Sequence, residues 1–178
     1  MTDTTVGSTV GATHSRDFNQ SNRDYASLLQ TQGSKPHGKE LRKRRHSIAG
    51  QIYLITTVTQ NRRPVFADLF AARLLVQTLR FEQQRHTADT LAYVVMPDHL
   101  HWLMTLGPSQ PLAKVVQAIK ASSAKRIGQP IWQAGYHDHA LRKEEDLQAV
   151  ARYVIANPLR AGLVERIGDY PHWDAIWF

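Results

Sequence analysis

Two histidines separated by one residue, His99 and His101, are the side chains of this sequence best suited to bind a metal ion. They lie in the mostly apolar stretch from Tyr93 to Leu106, which predicts buried strand. Side chains two residues apart on a strand share a face, so both imidazoles would point the same way. Histidine is the commonest protein ligand for metal ions. The pair predicts half a metal site, although an isolated His-x-His more often means two half-buried histidines bonded to backbone.

A candidate nucleophile lies in the stretch from Glu144 to Val164, which begins with acidic residues and continues with apolar residues at helical spacing. The apolar positions are Leu147, Val150, Ala151, Val154 and Ile155. At about 100° per residue, Tyr153 falls well off this stripe and Asn157 follows one turn later. The two would form a small polar patch, and a tyrosine that only packs or lies on the surface is the alternative. Pro158 predicts that the helix ends there or one turn later.

A second His-x-His, His137-Asp138-His139, competes with the first as the metal pair. Its neighbours are polar and do not form a continuous apolar strand. We therefore interpret Asp138 and His139 as residues near the site that orient ligands or touch a substrate, and Asp98, next to His99, in the same way. The acidic residues Glu144 to Asp146 are more simply explained as the start of a helix.

The elements that must position these residues alternate along the chain. We predict strands at 51–59, 91–96, 100–106 and 136–142, and helices at 68–85, 111–127 and around Tyr153. Asp68 is a candidate helix cap. The buried residues of that helix would be Leu69, Ala72, Leu75, Val76 and Leu79, and Leu100, Trp102, Met104 and Leu106 would face away from the histidines. The order β-α-β-β-α-β-α matches an α+β, ferredoxin-like split βαβ fold with one extra helix that carries the tyrosine.

Length and composition predict the domain organisation of these elements and limit the kinds of site they can build. A chain of 178 residues with 42% hydrophobic content can build one domain with a real core. Residues 1–34 are polar and are predicted to be a disordered extension, and residues 35–178 a single domain. The sequence contains no cysteine, so metal ligands must be nitrogen and oxygen. No long apolar run and no secretory signal are evident, and we expect a cytoplasmic protein that does not bind membranes.

The charge of the chain predicts a polyanionic partner, and nucleic acid first. The formal net charge is +7, and the sequence pI is about 9.9. A solvated surface is the alternative meaning of such basic runs. The candidate DNA contacts are Arg42, Lys43, Arg44, Arg45, Arg62, Arg63, Lys120 and Arg142. Bases could stack on Trp132, Tyr136, Trp173 and Trp177, although packing against the sheet is favoured for the tryptophans.

Several separated motifs in order resemble one known family. These are His-Leu-His after Met-Pro-Asp at 96–101, the run Tyr-Val-Ile-Ala-Asn-Pro-Leu-Arg-Ala-Gly-Leu-Val at 153–164, Asn-Arg-Arg-Pro-Val-Phe at 61–66, and Asp-Tyr-Pro-His-Trp-Asp at 169–174. Together they resemble the REP-associated tyrosine transposases of the single-tyrosine HUH transposase superfamily. The resemblance runs from about residue 40 to the end of the chain.

The resemblance implies a metal-dependent enzyme that nicks and joins single-stranded DNA at palindromic REP-like hairpins. It implies His99 and His101 as ligands of Mg²⁺ or Mn²⁺, Asn157 as a third, amide-type ligand, and Tyr153 as the nucleophile of a 5′-phosphotyrosine intermediate. It also implies a nucleoid-associated protein that acts as a monomer, with a dimer that exchanges tyrosines between subunits left open.

Two other functions compete with this prediction. A domesticated, non-catalytic regulator would keep the fold and bind hairpins, but every predicted catalytic residue is present. A replication initiator or relaxase of the wider HUH class would usually carry a helicase or larger partner domain, for which this chain has no room. Tyr136 is the next candidate nucleophile after Tyr153.

Overall fold

The structure, a computed structural model, describes residues 47–143 and 145–177. Its centre is a five-stranded antiparallel sheet in the order β4-β1-β3-β2-β5. The strands are β1 (Ile52–Val58), β2 (Ala88–Met96), β3 (His99–Leu106), β4 (His137–Ala140) and β5 (Trp173–Ala175). The first four have the strand order of a ferredoxin-like fold, so the predicted α+β class is confirmed.

Helices cover both faces of this sheet. Two long helices, α1 (Leu69–Gln84) and α2 (Leu112–Ile127), build the main core on one face. The alternate residues Leu100, Trp102, Met104 and Leu106 of β3 belong to that core, as predicted. Two shorter helices, α3 (Leu147–Ile155) and α4 (Asn157–Arg160), follow β4, and α3 packs against β2, β3 and β5. Since side chains alternate across a strand, the histidines of β3 lie on the face opposite the main core.

Local sequence signals account for several boundaries. Asp68 caps α1, as predicted, by accepting a 2.7 Å hydrogen bond from the backbone N–H of Ala71. Gly128 ends α2 at a φ of 87°, a conformation that glycine adopts at low cost. The second strand begins at Ala88 rather than at the predicted Leu91.

Two features of the fold differ from the sequence prediction. Leu69 was predicted to belong to the buried stripe of α1, but it is 46% exposed. Phe66, from the turn before the helix, fills this end of the core instead. The short strand β5 was not predicted. It adds Trp173–Ala175 to the edge of β2, and three residues are too few for alternating hydrophobicity to be visible.

Some predictions concern residues outside the described ranges. These are the disordered extension at 1–34, the start of the domain at residue 35, the basic residues Arg42, Lys43, Arg44 and Arg45, and Glu144, and they stay predictions. Within residues 47–143 and 145–177, no helix is long and apolar enough to cross a membrane.

Candidate active site

The rings of His99 and His101 converge on one point beside the sheet. Their Nε2 atoms are 3.2 Å apart, and the ring planes are nearly perpendicular, at 86°. Both residues belong to β3, between β1 and β2, so two neighbouring strands hold the backbone on which the rings are mounted. The predicted shared face of the pair is therefore confirmed, and each ring directs its outer nitrogen to the same place.

Asp98 orients the first of these rings. One carboxylate oxygen is 2.5 Å from Nδ1 of His99, and the other accepts a 2.9 Å hydrogen bond from Arg62. Burial raises the pKa of Asp98, but the hydrogen bonds and charges of His99 and Arg62 outweigh it and hold the pKa below its ordinary value. A carboxylate on Nδ1 fixes the ring and leaves Nε2 as the ligating atom. Asp98 therefore has the geometry predicted for a residue that orients a ligand.

Thr56 orients the second ring, that of His101, a role that the sequence analysis did not predict. Its hydroxyl is 2.8 Å from Nδ1 of His101, the residue directly opposite on β3. His101 is buried, and this burial, assisted by the positive charges of His99 and Arg160, lowers its pKa to about 3. The imidazole is therefore neutral at ordinary pH, and with Nδ1 at the hydroxyl its Nε2 can carry a lone pair.

The spacing of the two Nε2 atoms fits one divalent ion. Ligand atoms at right angles around an octahedral ion, at bonds of about 2.1 Å, are about 3.0 Å apart, and in a tetrahedral site about 3.4 Å apart. The observed 3.2 Å lies between these values. No cluster of three or more His, Cys, Asp or Glu side chains suited to a metal occurs in the described part of the chain. The donor set fits an ion that takes its other ligands from an amide, water or phosphate oxygens.

Tyr153 lies on α3, the helix that packs against the histidine strand and its neighbour β2. The sequence placed it off the buried stripe, in a small polar patch, yet the residue is buried, with only 7% of its surface exposed. The reason lies in the tertiary structure. The helix packs against the sheet on one side, and the side chain of Arg160 covers the tyrosine ring away from the buried stripe. Helical periodicity alone cannot reveal this second cover.

Asn157 begins α4, just after the break between the two short helices. Its Nδ2 donates to the carbonyl oxygens of Val154, at 2.8 Å, and Tyr153, at 3.3 Å. Because carbonyls only accept, these bonds identify the amide nitrogen and leave Oδ1 as the atom able to ligate a metal. The break before Pro158 was predicted, and Pro158 itself lies in the first turn of α4.

Arg160 is a further functional candidate that the sequence analysis did not predict. Its guanidinium carbon lies 3.8 Å from the centroid of the Tyr153 ring, and its Nη2 donates to the Tyr153 carbonyl at 3.0 Å. The signal that could have found it is its position three residues after Asn157, which puts both side chains on one side of a short helix.

The second His-x-His lies on the same face as the first. His137 and His139 on the edge strand β4 pair with Thr56 and Leu54 of β1, and Thr56 in turn pairs with His101. Paired residues of an antiparallel sheet share a face, so His137 lies two strands from His101 in one row. His139 is held by Glu145, whose carboxylate is 2.9 Å from Nε2. Glu145 precedes α3, and its role was not predicted.

The described basic candidates have different surroundings. Arg62 and Arg63 are exposed after β1, and Arg63 donates to the carbonyl of Pro130. The ammonium of Lys120 is bonded to the carbonyls of Gln133 and Gly135, and partial burial lowers its pKa. Arg142 is exposed beside β4. Arg62, Arg63 and Arg142 are thus exposed, whereas Lys120 is bonded to the loop before β4.

The aromatic candidates are mostly packing residues. Trp132 packs against Phe66 with ring centroids 5.3 Å apart, and its indole N–H donates to Ser123. The indole of Trp173 donates to the Ile167 carbonyl. Tyr136 and Trp177 are half-buried.

Comparison with known sequences shows which family the chain belongs to. The profile of the family described as Transposase IS200 like matches residues 47–157, which contain the paired histidines, Tyr153 and Asn157. The chain belongs to the IS200-like transposase family. As a transposase of this family it is an enzyme that cleaves and joins DNA.

Individual relatives within this transposase family agree. The chain is 27% identical over 130 residues to a REP-associated tyrosine transposase of Escherichia coli K12. The aligned region covers 72% of this chain and 78% of the relative. A solved structure of a REP-associated tyrosine transposase bound to a REP hairpin matches with a TM-score of 0.65 at 26% identity, covering 73% of this chain and 79% of that one. The resemblance predicted from the motifs is therefore confirmed.

Proposed function

We propose that this transposase nicks and rejoins single-stranded DNA at hairpin-forming elements through a covalent 5′-phosphotyrosine on Tyr153. The observation that carries the proposal is the pair of convergent Nε2 atoms on the sheet face against which the helix of Tyr153 packs. A nucleophile and a metal pair on one face are the parts that phosphoryl transfer needs.

The chain's own residues would divide the work as follows. The phenol oxygen of Tyr153 attacks the phosphorus, the P–O bond to the 3′ oxygen breaks, and that oxygen leaves as a hydroxyl with one proton. The phenol proton is lost in exchange. The new phosphotyrosine stores the energy of the broken bond, so the 3′-hydroxyl can later reverse the step without a nucleotide cofactor.

His99, His101 and Oδ1 of Asn157 would hold the divalent ion, Mg²⁺ or Mn²⁺. When bound, such an ion supplies Lewis-acid stabilisation of a non-bridging phosphate oxygen. Nitrogen ligands favour Mn²⁺ somewhat over Mg²⁺. Asp98 and Thr56 keep the two imidazoles oriented through their Nδ1 atoms. Asp138 and His139 remain candidates for orienting groups or DNA contacts, and His139 is already held by Glu145.

Hairpin DNA is the proposed substrate. The support is the solved relative bound to a REP hairpin, together with the net charge of +7. Arg62, Arg63 and Arg142 would contact phosphates, which adds affinity without sequence specificity. Lys120 and the basic residues 42–45 stay candidates for the same role. We also propose that the protein works in the cytoplasm, at the nucleoid.

We propose a self-contained site in a monomer. The support is that α3 packs against the histidine strand of its own chain, so the tyrosine need not come from a second subunit. A mixture of a Tyr153→Phe chain and a His99→Ala chain tests this directly. A self-contained site stays inactive in the mixture, whereas exchanged tyrosines would restore part of the activity.

Adduct formation tests the reaction itself. Purified protein is incubated with a labelled single-stranded hairpin and Mn²⁺, and denaturing gels are read for a protein-linked label. The peptide that carries the nucleotide is then identified by mass spectrometry. We expect a metal-dependent adduct on Tyr153. Tight hairpin binding with no adduct under any metal would instead support the non-catalytic regulator.

A further inference from the structure

Arg160 contacts the proposed nucleophile in two ways. Its guanidinium carbon lies 3.8 Å from the ring centroid of Tyr153, and Nη2 donates a 3.0 Å hydrogen bond to the carbonyl of the same residue. The residue Arg160 is nonetheless exposed, which leaves this part of α4 open to a substrate. An arginine used only for packing would not need this access.

The arginine also lies near a proposed metal ligand. It follows Asn157 by three residues on the short helix α4, so the two side chains lie on one side of that helix. Burial lowers the pKa of Arg160, and the neighbouring Tyr153 opposes this, but an arginine keeps its charge at any ordinary pH. Arg160 is therefore a permanent cation within electrostatic reach of both the nucleophile and a proposed ligand.

The reaction creates a need for such a cation. A phosphodiester carries one negative charge, and attack by a phenolate brings a second to the phosphoryl group and its two apical oxygens. One divalent ion contacts only part of this charge. A planar guanidinium can donate two parallel hydrogen bonds to phosphate oxygens, which lysine cannot do.

We propose that Arg160 is a further catalytic residue, whose guanidinium binds a non-bridging oxygen of the scissile phosphate while its planar face lies against the Tyr153 ring and holds it in place. This rests on the proposed nicking reaction. Arg160 gives up no proton, and it stabilises charge that develops as the Tyr153 O–P bond forms and the bond to the 3′ oxygen breaks.

The competing explanation is that Arg160 only ties α4 to the end of α3. Three variants separate the two explanations. Arg160→Gln keeps a donor for the Tyr153 carbonyl but removes the charge. Arg160→Lys keeps the charge but loses the planar guanidinium that can donate two parallel hydrogen bonds. Arg166→Gln is the matched control, since Arg166 is an exposed arginine paired with Asp169 at 3.1 Å.

We expect Arg160→Gln to slow adduct formation about 100-fold or more, the range found for removal of a donor aimed at developing charge. Arg160→Lys should recover only part of the rate, and Arg166→Gln should leave the rate unchanged. Urea unfolding of each variant, compared with the parent protein, shows whether the fold is retained.

A modified substrate tests the contact most directly, because a comparison of substrates within one variant does not depend on the stability of that variant. The non-bridging oxygens of the scissile phosphate are replaced one at a time by methyl, and the two methylphosphonate diastereomers are assayed separately. If Arg160 binds one of these oxygens, the rate ratio between the parent protein and Arg160→Gln should shrink to near one for that diastereomer. For the other diastereomer the ratio should stay large.

An equal rate ratio on the normal substrate and on both diastereomers would overturn the assignment and leave Arg160 as a packing residue. So would an unchanged rate in Arg160→Gln. These results are distinct from failure of the proposed function, in which the parent protein itself forms no adduct with the normal substrate.

Discussion

Thr56 and His101 are joined across two antiparallel strands by a 2.8 Å contact between the threonine hydroxyl and Nδ1 of the imidazole. The next residue, Thr57, lies opposite Leu100 and has its side chain on the other face of the sheet. Two adjacent threonines of one strand thus have different surroundings, and they form a matched pair for mutation.

Thr56→Val should weaken metal binding, because the His101 ring loses the partner that orients it. We expect a loss of about 10- to 100-fold in Mn²⁺ affinity, measured by calorimetry or electron paramagnetic resonance. Thr57→Val is the control. Its hydroxyl is buried with no hydrogen-bond partner within the described residues, so this change should leave affinity unaltered and stability equal or higher by about 1 kcal/mol. Equal metal affinity in both variants would contradict the role of Thr56.

Asp98→Asn tests the orientation of the other ring. The carboxylate binds His99 and Arg62 at once, and an amide has only one oxygen to accept hydrogen bonds. We expect metal affinity to fall about tenfold or more, with hairpin binding in the absence of metal unchanged within a few fold. Asp169→Asn, which loses only a surface pair with Arg166, serves as the control. Wild-type metal affinity in Asp98→Asn would argue against this assignment.

Tyr153→Phe should abolish the protein-DNA adduct, because no oxygen remains to attack the phosphate. Hairpin affinity, measured by fluorescence anisotropy, should stay within a few fold of the parent value. Tyr136→Phe is the matched variant, and it should still form the adduct. The opposite pattern would move the nucleophile to Tyr136.

Metal removal should stop cleavage without unfolding the protein, since the main core lies on the other face of the sheet. Chelator should eliminate adduct formation, and Mn²⁺ or Mg²⁺ should restore it in the parent protein. His99→Ala should not regain the parent rate at any metal concentration tested. The rate of adduct formation is read at several metal concentrations. Equal rates with and without chelator would exclude a metal role in the cleavage step.

Acid should destabilise the protein through His172 as well as through its other titrating groups. Burial, with a smaller contribution from Arg73, lowers the pKa of His172, whose ring packs edge-on against Tyr170 at 5.9 Å. The unfolded chain therefore binds this proton more readily. The contribution of His172 to stability is present above pH 6.5, the ordinary value, and is lost as the pH falls from there through the folded-state pKa.

The difference between parent and His172→Gln isolates this effect. Urea unfolding at a series of pH values should show a smaller loss of stability on acidification in the variant. Parallel curves for the two proteins would mean that His172 titrates alike in the folded and unfolded chain.

Local patterns in the sequence determined much of this protein by themselves. The order of strands and helices, the shared face of His99 and His101, and the cap at Asp68 follow from side-chain periodicity and from hydrogen bonds between residues close in sequence. The motifs around the histidines and Tyr153 also identified the family, which the profile match over residues 47–157 confirmed.

Tertiary structure alone decided which groups surround those residues. Thr56 meets His101 through strand register, Glu145 meets His139 through the turn before α3, and Arg160 covers Tyr153 through the bend between α3 and α4. The burial of Tyr153 belongs here too, as does the short strand β5. Register, helix docking and the angle of a bend depend on the sum of many contacts between distant residues, and no periodicity within a single element records that sum.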